Sequence, residues 1–234
     1  MKLVIVRHGE SEYNKENLFS GWEDVALTEK GVREAKMAGR TIRCQKIVFD
    51  HAYTSVLCRA IESLQYILAE INQEWLPVDK SWRLNERSYG ALQRLNKAET
   101  ATKFGKERVN HWRRSYDAVP PMLDFSDPRH PVHDRRYRDV DPRLLPGGES
   151  LKTTLDRVLP YWTDRIAPHL IAGENVLLVS HRNTLRALIK YLENISDEEI
   201  VHVDIPTGSP IIYEFDRQLN ILSKEEPDAQ EMER

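Results

Sequence analysis

Two histidines stand where strand-like runs stop. LVIV (3–6) leads into Arg7-His8-Gly9, and NVLLVS (175–180) leads into His181. An apolar run rich in β-branched residues, with no alternation, is the pattern of a strand covered on both faces in a parallel sheet. If the two strands run parallel, both histidines leave at the carboxyl ends, the edge where such sheets bind ligands. Arg7 precedes His8, and Arg59 lies in the first turns of the helix expected after the second strand, on the same edge. Two guanidinium groups and two imidazoles in one place repel unless an anion sits among them. Phosphate suits planar, bidentate guanidinium groups. A neutral imidazole nitrogen can attack phosphorus and form a phosphohistidine. The arginines and the second histidine would then stabilise charge developing on the equatorial oxygens.

The chain has eight histidines, and a histidine is more often a surface or capping residue than a catalyst. His51, His111, His169 and His202 are read that way. His130 and His133 have an H-x-x-H spacing but lack the other ligands zinc needs, so they read as solvated loop, and no metal site is expected.

The elements that must position these residues follow from periodicity. Thr28 can cap a helix to about Arg43, with Val32, Ala35 and Ala38 on one face. KIVF (46–49) reads as the second strand. Residues 55–71 read as an amphipathic helix, Ser150 can cap a helix over about 151–171, 184–192 read as another helix, and PIIYEF (210–215) as a late strand. Strand–helix alternation predicts an α/β fold: a largely parallel sheet flanked by helices on both faces. Residues 95–149 break the alternation. A helix over 97–114 precedes a Pro- and Arg-rich stretch, and the whole reads as an insertion forming a lid over the strand carboxyl ends. The expectation is one domain over 1–234, with a mobile polar tail from about 218 to 234. No internal repeat is visible.

The 234 residues are 40% hydrophobic and carry a net charge of −3. That suffices for a large core and supplies no basic field for nucleic acid. No apolar run approaches a membrane span, and no leader segment is visible before the first strand. Two cysteines, Cys44 and Cys58, make no disulfide framework, so a reduced, cytoplasmic protein is the default.

RHGESEYN followed by NLFSGWEDVALTEKG resembles the histidine phosphatase superfamily. TSVLCRAIESL, LNERSYGALQRLNKAETA, WRRSYD, SHRNTLRALIKYL and IPTGSPIIYEFD narrow the resemblance to its cofactor-dependent phosphoglycerate mutases, over about residues 2–216. The resemblance implies that His8 is the phosphorylated nucleophile, that Arg7, Arg59 and His181 hold the transferring group, and that Glu86 donates and accepts the proton. That last role needs a carboxyl able to carry a proton near neutral pH, which burial among phosphates would favour. The remaining positions carried over as substrate-binding are Gly9, Glu10, Ser11, Asn14, Ser20, Gly21, Arg87, Tyr89, Lys97, Arg113, Arg114 and Asn183. The implied reaction interconverts 3- and 2-phosphoglycerate in glycolysis and gluconeogenesis, primed by 2,3-bisphosphoglycerate and using no metal. The family also implies a homodimer or homotetramer.

Three positions depart from the family pattern. Ser88 stands where histidine is usual, and Arg94 and Arg182 stand where glycine is usual. Arg182 is expected either to carry strain in a conformation that suits glycine, or to keep an ordinary backbone with its guanidinium facing the anion site or swung out to solvent. A phosphatase, a bisphosphoglycerate synthase and a binding protein without turnover are the alternatives. Lys97, Arg113 and Arg114 in the insertion favour the mutase.

Overall fold

The computed structural model describes residues 1–227. Six strands form one sheet in the order β3-β2-β4-β1-β5-β6: β1 (Lys2–Arg7), β2 (His51–Thr54), β3 (Val78–Lys80), β4 (Val176–Ser180), β5 (Pro210–Phe215) and β6 (Ile221–Glu225). β1 to β4 are mutually parallel where they pair, and β5 and β6 add an antiparallel edge. Alternate side chains of the central strands divide the core. Val4, Val6, Leu177 and Val179 pack against α2 (Glu29–Cys44) and α3 (Cys58–Ile71). Leu3, Ile5, Val176 and Leu178 pack against α6 (Leu151–Tyr161), α7 (Ala167–Ile171) and α8 (Arg182–Leu192), together with Trp162 and Ile166 from the turn between α6 and α7. β4 is buried along its whole length, as its unbroken apolar sequence requires. Helices therefore cover both faces, as the alternation implied. No helix among the described residues is long and apolar enough to cross a membrane.

The second strand is not KIVF. Lys46 closes the turn after α2 at φ +54°, residues 47–49 join no strand, and β2 begins at His51. Side-chain amides take the backbone groups that a ladder would have used. Gln73 accepts from the Phe49 N–H and donates to the Ile47 carbonyl, both at 2.9 Å, and Asn175 donates to the Val48 carbonyl at 2.9 Å. The helix expected over 97–114 breaks at Gly105, whose φ of +90° ends α4 (Lys97–Phe104) and starts α5 (Lys106–Arg114). The helix from Ser150 widens into a π turn over Trp162–Ile166, between Pro160 and Pro168, neither of which has an N–H to donate. The stretch expected as a mobile tail contains a strand. ILSKE pairs with the otherwise open edge of β5 as β6, and residues 228–234 lie outside the described residues.

The second half of the insertion holds its shape through turns. Asp127, Asp134 and Asp141 recur every seven residues, each followed two residues later by an arginine. Each aspartate accepts from the backbone N–H of Arg129, Arg136 or Arg143 at 2.9–3.0 Å. The guanidinium of the same arginine returns to the same carboxylate. This is a short internal repeat that hydrophobic periodicity does not reveal, because its signal is turn chemistry rather than burial. His130 is buried among these turns, not solvated. Its Nδ1 accepts from the Val132 N–H at 3.2 Å, and its ring packs on Phe125. No group of three or more potential metal ligands occurs among the described residues.

Candidate active site

Strand register brings the two histidines together. Arg7 pairs with Ser180 across β1 and β4, and the His8 N–H extends the ladder to the Ser180 carbonyl at 3.0 Å. The residues one step beyond are therefore His8 and His181. Their rings meet edge to face with centroids 4.9 Å apart, and both are buried.

His8 Nδ1 lies 2.6 Å from the Gly9 carbonyl. A carbonyl only accepts, so Nδ1 carries the proton and Nε2 keeps its lone pair. Burial, followed by the charges of Arg59 and Arg7, holds the His8 imidazole well below its usual range. His181 is depressed by burial and then by Arg59. Both rings are neutral at neutral pH, the state in which the His8 nitrogen is nucleophilic. His181 Nε2 lies 2.7 Å from the Ser55 hydroxyl, whose oxygen also accepts from the Leu57 N–H at 3.1 Å. With that N–H on its oxygen, the hydroxyl can donate its own proton to Nε2. Nδ1 of His181 then carries the N–H, and it is buried with no protein partner.

The arginines are fixed by backbone carbonyls. Arg7 donates to Ile205 O at 2.8 Å, and Arg59 donates to the carbonyls of Glu23 and Gly21 at 2.7 and 2.8 Å. In each, Nε is buried without a partner. A buried donor left unmet is destabilising by about 1–3 kcal/mol, so these groups are set for an acceptor that the protein does not supply. Glu86 is 7% exposed and held from several sides. Its Oε1 accepts from the N–H groups of Arg87 at 2.8 Å and Asn183 at 3.1 Å. Its carbonyl accepts from Trp22 Nε1 and Arg157 Nη2. Arg157 in turn forms a buried pair with Glu149, which also accepts from the Ser88 N–H at 2.8 Å. The small, buried Ser88 fits this arrangement.

The cleft over His8 is lined by Arg7, His8, Asn14, Leu18, Ser20, Gly21, Arg59, Glu86, Tyr89, Lys97, Arg113, Arg182 and Asn183, with His181 behind His8 and outside the lining. Five of these are cationic, and Glu86 is the one carboxylate. α4 and α5 deliver Lys97 and Arg113 from the insertion. Burial lowers the Lys97 ammonium, with neighbouring Arg113 adding to the effect.

The other expected binding residues stand behind the lining. Gly9 is where the chain crosses α2: a Cβ there would lie 2.1 Å from the Gly31 carbonyl. Its N–H goes to Ser63. Glu10 turns outward to Thr28 and Lys30. Ser11 is the N-cap of α1 (Glu12–Lys15), and its hydroxyl donates to Asn14 Oδ1, which fixes the Asn14 side chain in the lining. Arg87 is fully buried, with its guanidinium 4.5 Å from the centre of the Tyr89 ring. Arg114 neighbours Arg113 but is not among the lining residues. Sequence reasoning missed Ser55 and Leu18. Both sit on irregular backbone, and nothing in local periodicity marks them.

The model of the histidine phosphatase superfamily (branch 1) matches residues 3–135 and 127–225. The 2,3-bisphosphoglycerate-dependent phosphoglycerate mutase 2 of Lactiplantibacillus plantarum is 55% identical over 96% of this chain and 97% of its own. That of Latilactobacillus sakei is 56% identical over 95% and 97%. Among solved structures, a mycobacterial glucosyl-3-phosphoglycerate phosphatase complexed with VO3 aligns with a TM-score of 0.72 at 20% identity, covering 96% of both chains. A phosphoglycerate mutase from Bacillus anthracis aligns at 0.68 and 21%, covering 98% of this chain and 94% of its own. The structural likenesses establish the fold, and the sequence matches establish the kinship: this chain belongs to the histidine phosphatase superfamily, branch 1, and within it to the 2,3-bisphosphoglycerate-dependent phosphoglycerate mutase family.

Proposed function

We propose that the cleft exchanges a phosphoryl group between His8 and a phosphoglycerate. The chain interconverts 3-phosphoglycerate and 2-phosphoglycerate through a phosphohistidine and 2,3-bisphosphoglycerate. The observation that carries the assignment of residues is the pairing of a neutral, tautomer-fixed His8 with buried guanidinium nitrogens that have no protein acceptor. A site with that much unmatched positive charge fits a polyanion. When bound, 2,3-bisphosphoglycerate supplies the phosphoryl group that primes His8.

In our reading, His8 Nε2 attacks phosphorus as the bond from phosphorus to the glycerate oxygen breaks. Arg7, Arg59 and the Nδ1–H of His181 take the charge that grows on the equatorial oxygens. Glu86 gives a proton to the departing oxygen and, in the return step, removes one from the attacking hydroxyl. Lys97 and Arg113 bind the remaining anionic groups, and α4 and α5 act as a lid that limits loss of the phosphoryl group to water. The cytoplasm and a homo-oligomeric state complete the proposal, on the ground of the family resemblance.

The test is phosphorylation itself. Incubation with 2,3-bisphosphoglycerate should place an acid-labile phosphate on His8, and His8→Ala should take up none. Equal labelling of that variant would remove His8 from the nucleophile's role. Hydrolysis of phosphoglycerate without isomerisation would point instead to a phosphatase.

A further inference from the structure

Arg182 departs from the glycine that the family resemblance implies, and the structure shows no backbone reason for glycine there. It is the first residue of α8, with an ordinary helical backbone outside the positive-φ set. Its side chain lines the cleft with Arg7, Lys97 and Arg113, and is 22% exposed. Its Nη2 meets Asp204 Oδ1 at 2.6 Å, while its Nε is buried with no partner. Asp204 itself is mostly exposed, at 60%, and its Oδ1 also accepts from the Ile205 N–H at 2.9 Å. Ile205 O is the group that fixes Arg7. The segment Asp204-Ile205 is thus gripped by two cleft arginines at once.

We propose that Arg182 is an additional anion-binding residue of this cleft, and that Asp204 sets how strongly it binds. The carboxylate occupies one edge of the guanidinium, holds it against the cleft wall and offsets part of its charge. The unpaired nitrogen is left for a ligand oxygen. An exposed carboxylate is a weak competitor for a guanidinium, whereas a phosphate group offers several acceptors in bidentate geometry. The pair therefore retains a positioned cation in the empty cleft and yields part of it to an incoming anion. Asp204 works as a positioning residue here. The contact is available to substrate and product alike, so it acts on binding more than on turnover.

The proposal rests on the phosphoryl-binding reading of the cleft, but its test contains no turnover. Inorganic phosphate is titrated calorimetrically into the native chain, into Arg182→Gln and Asp204→Asn, and into the double variant. Arg182→Gln should weaken phosphate binding about tenfold, the worth of one charge-assisted contact. Asp204→Asn should tighten it about threefold or more, by releasing the guanidinium. In the double variant the Asp204→Asn effect should vanish, because it acts through Arg182. An unchanged affinity in Arg182→Gln overturns the proposal, and so does an Asp204→Asn effect that persists without Arg182. If Arg182→Gln does not fold, Asp204→Asn decides alone: unchanged or weaker binding overturns the proposal. Failure of the native chain to isomerise 3-phosphoglycerate would overturn the mutase mechanism and leave this binding cycle standing.

Discussion

The Ser55 hydroxyl lies 2.7 Å from Nε2 of His181 and accepts from the Leu57 N–H on its other side. A serine at the end of β2 thereby selects which nitrogen of a histidine at the end of β4 carries the proton. The selected tautomer presents Nδ1–H, the one group on His181 without a protein partner. Ser55→Ala should leave the ring in place but free to hold the wrong proton. Turnover should fall by about 10²-fold, within the range of positioned proton-bearing groups, while the Michaelis constant changes little. A rise in the Michaelis constant with turnover intact would mean that Ser55 only packs.

Glu86 is fixed through Oε1 and its own carbonyl, so replacing the carboxylate should disturb chemistry more than architecture. Glu86→Gln should lose about 10²–10⁴-fold in turnover with near-native ligand affinity. A loss below roughly threefold, far under the range for general acid–base groups, would remove it from proton transfer.

Arg113 and Arg114 are adjacent in sequence but not equivalent in space. Only Arg113 lines the cleft. Arg113→Ala should weaken phosphoglycerate binding about tenfold and raise the ratio of hydrolysis to isomerisation. Arg114→Ala should do neither. Equal effects of the two variants would contradict the placement.

Stability should depend on pH through the two buried histidines. Their folded-state values lie well below the ordinary 6.5, through burial first and arginine charge second. In the unfolded chain both bind protons as pH falls through about 6.5, and in the folded chain they stay neutral. The unfolded state then binds more protons, so stability drops with acidification by up to about 1.4 kcal/mol per pH unit per histidine. Urea midpoints between pH 7 and pH 5 should fall accordingly, and His8→Gln should flatten the slope. A slope unaffected by His8→Gln would assign the pH dependence elsewhere.

The two arginines that stand where the family resemblance implies glycine should respond differently to substitution by glycine. Arg94 has φ +71°, in the left-handed region; its side chain pairs with Glu23 at 2.9 Å, and its N–H donates to the Phe19 carbonyl. Relief of about 1–2 kcal/mol of backbone strain opposes the lost ion pair and the added unfolded-state freedom, each under about 1 kcal/mol. Arg94→Gly should therefore stay within about 1 kcal/mol of the native stability. Arg182→Gly carries no such relief and should be destabilising by about 1 kcal/mol, from helix propensity and the lost Asp204 contact. Denaturant unfolding of both variants checks the contrast, and equal losses would contradict it.

The heart of the site was legible because it lies on regular elements. LVIVRH and NVLLVSH are unambiguous buried strands, and one register step joins their histidines. Arg59 followed from its place at the start of α3. Residues whose position depends on irregular backbone were not legible. Ser55 reaches His181 across 126 positions, and Asp204 reaches Arg182 from a loop with no periodic signal. KIVF misled for a related reason. Its composition suits a strand, but two distant side-chain amides claim its backbone. Arg182 shows a further limit. Its replacement of glycine was visible in the sequence, whereas its ordinary helical backbone and its counter-ion were not.

Each of the three Asp-x-Arg turns is a clasp that closes on its own arginine within three residues, and Val132, Tyr137, Val140 and Leu145 pack the stretch onto Trp22 as one cluster. The outer carboxylates are solvated, and the Asp127 clasp, tightened by its arginine, still holds its carboxylate at about 2, so mild acid does not undo it. Only the middle clasp is tied to the chemistry. Arg136 reaches Asp24 at 2.6 Å, in the loop whose carbonyls grip Arg59 and whose Ser20 and Gly21 line the cleft. Loosening the middle clasp therefore loosens the loop that holds Arg59, so a turn outside the cleft carries part of the cleft's rigidity.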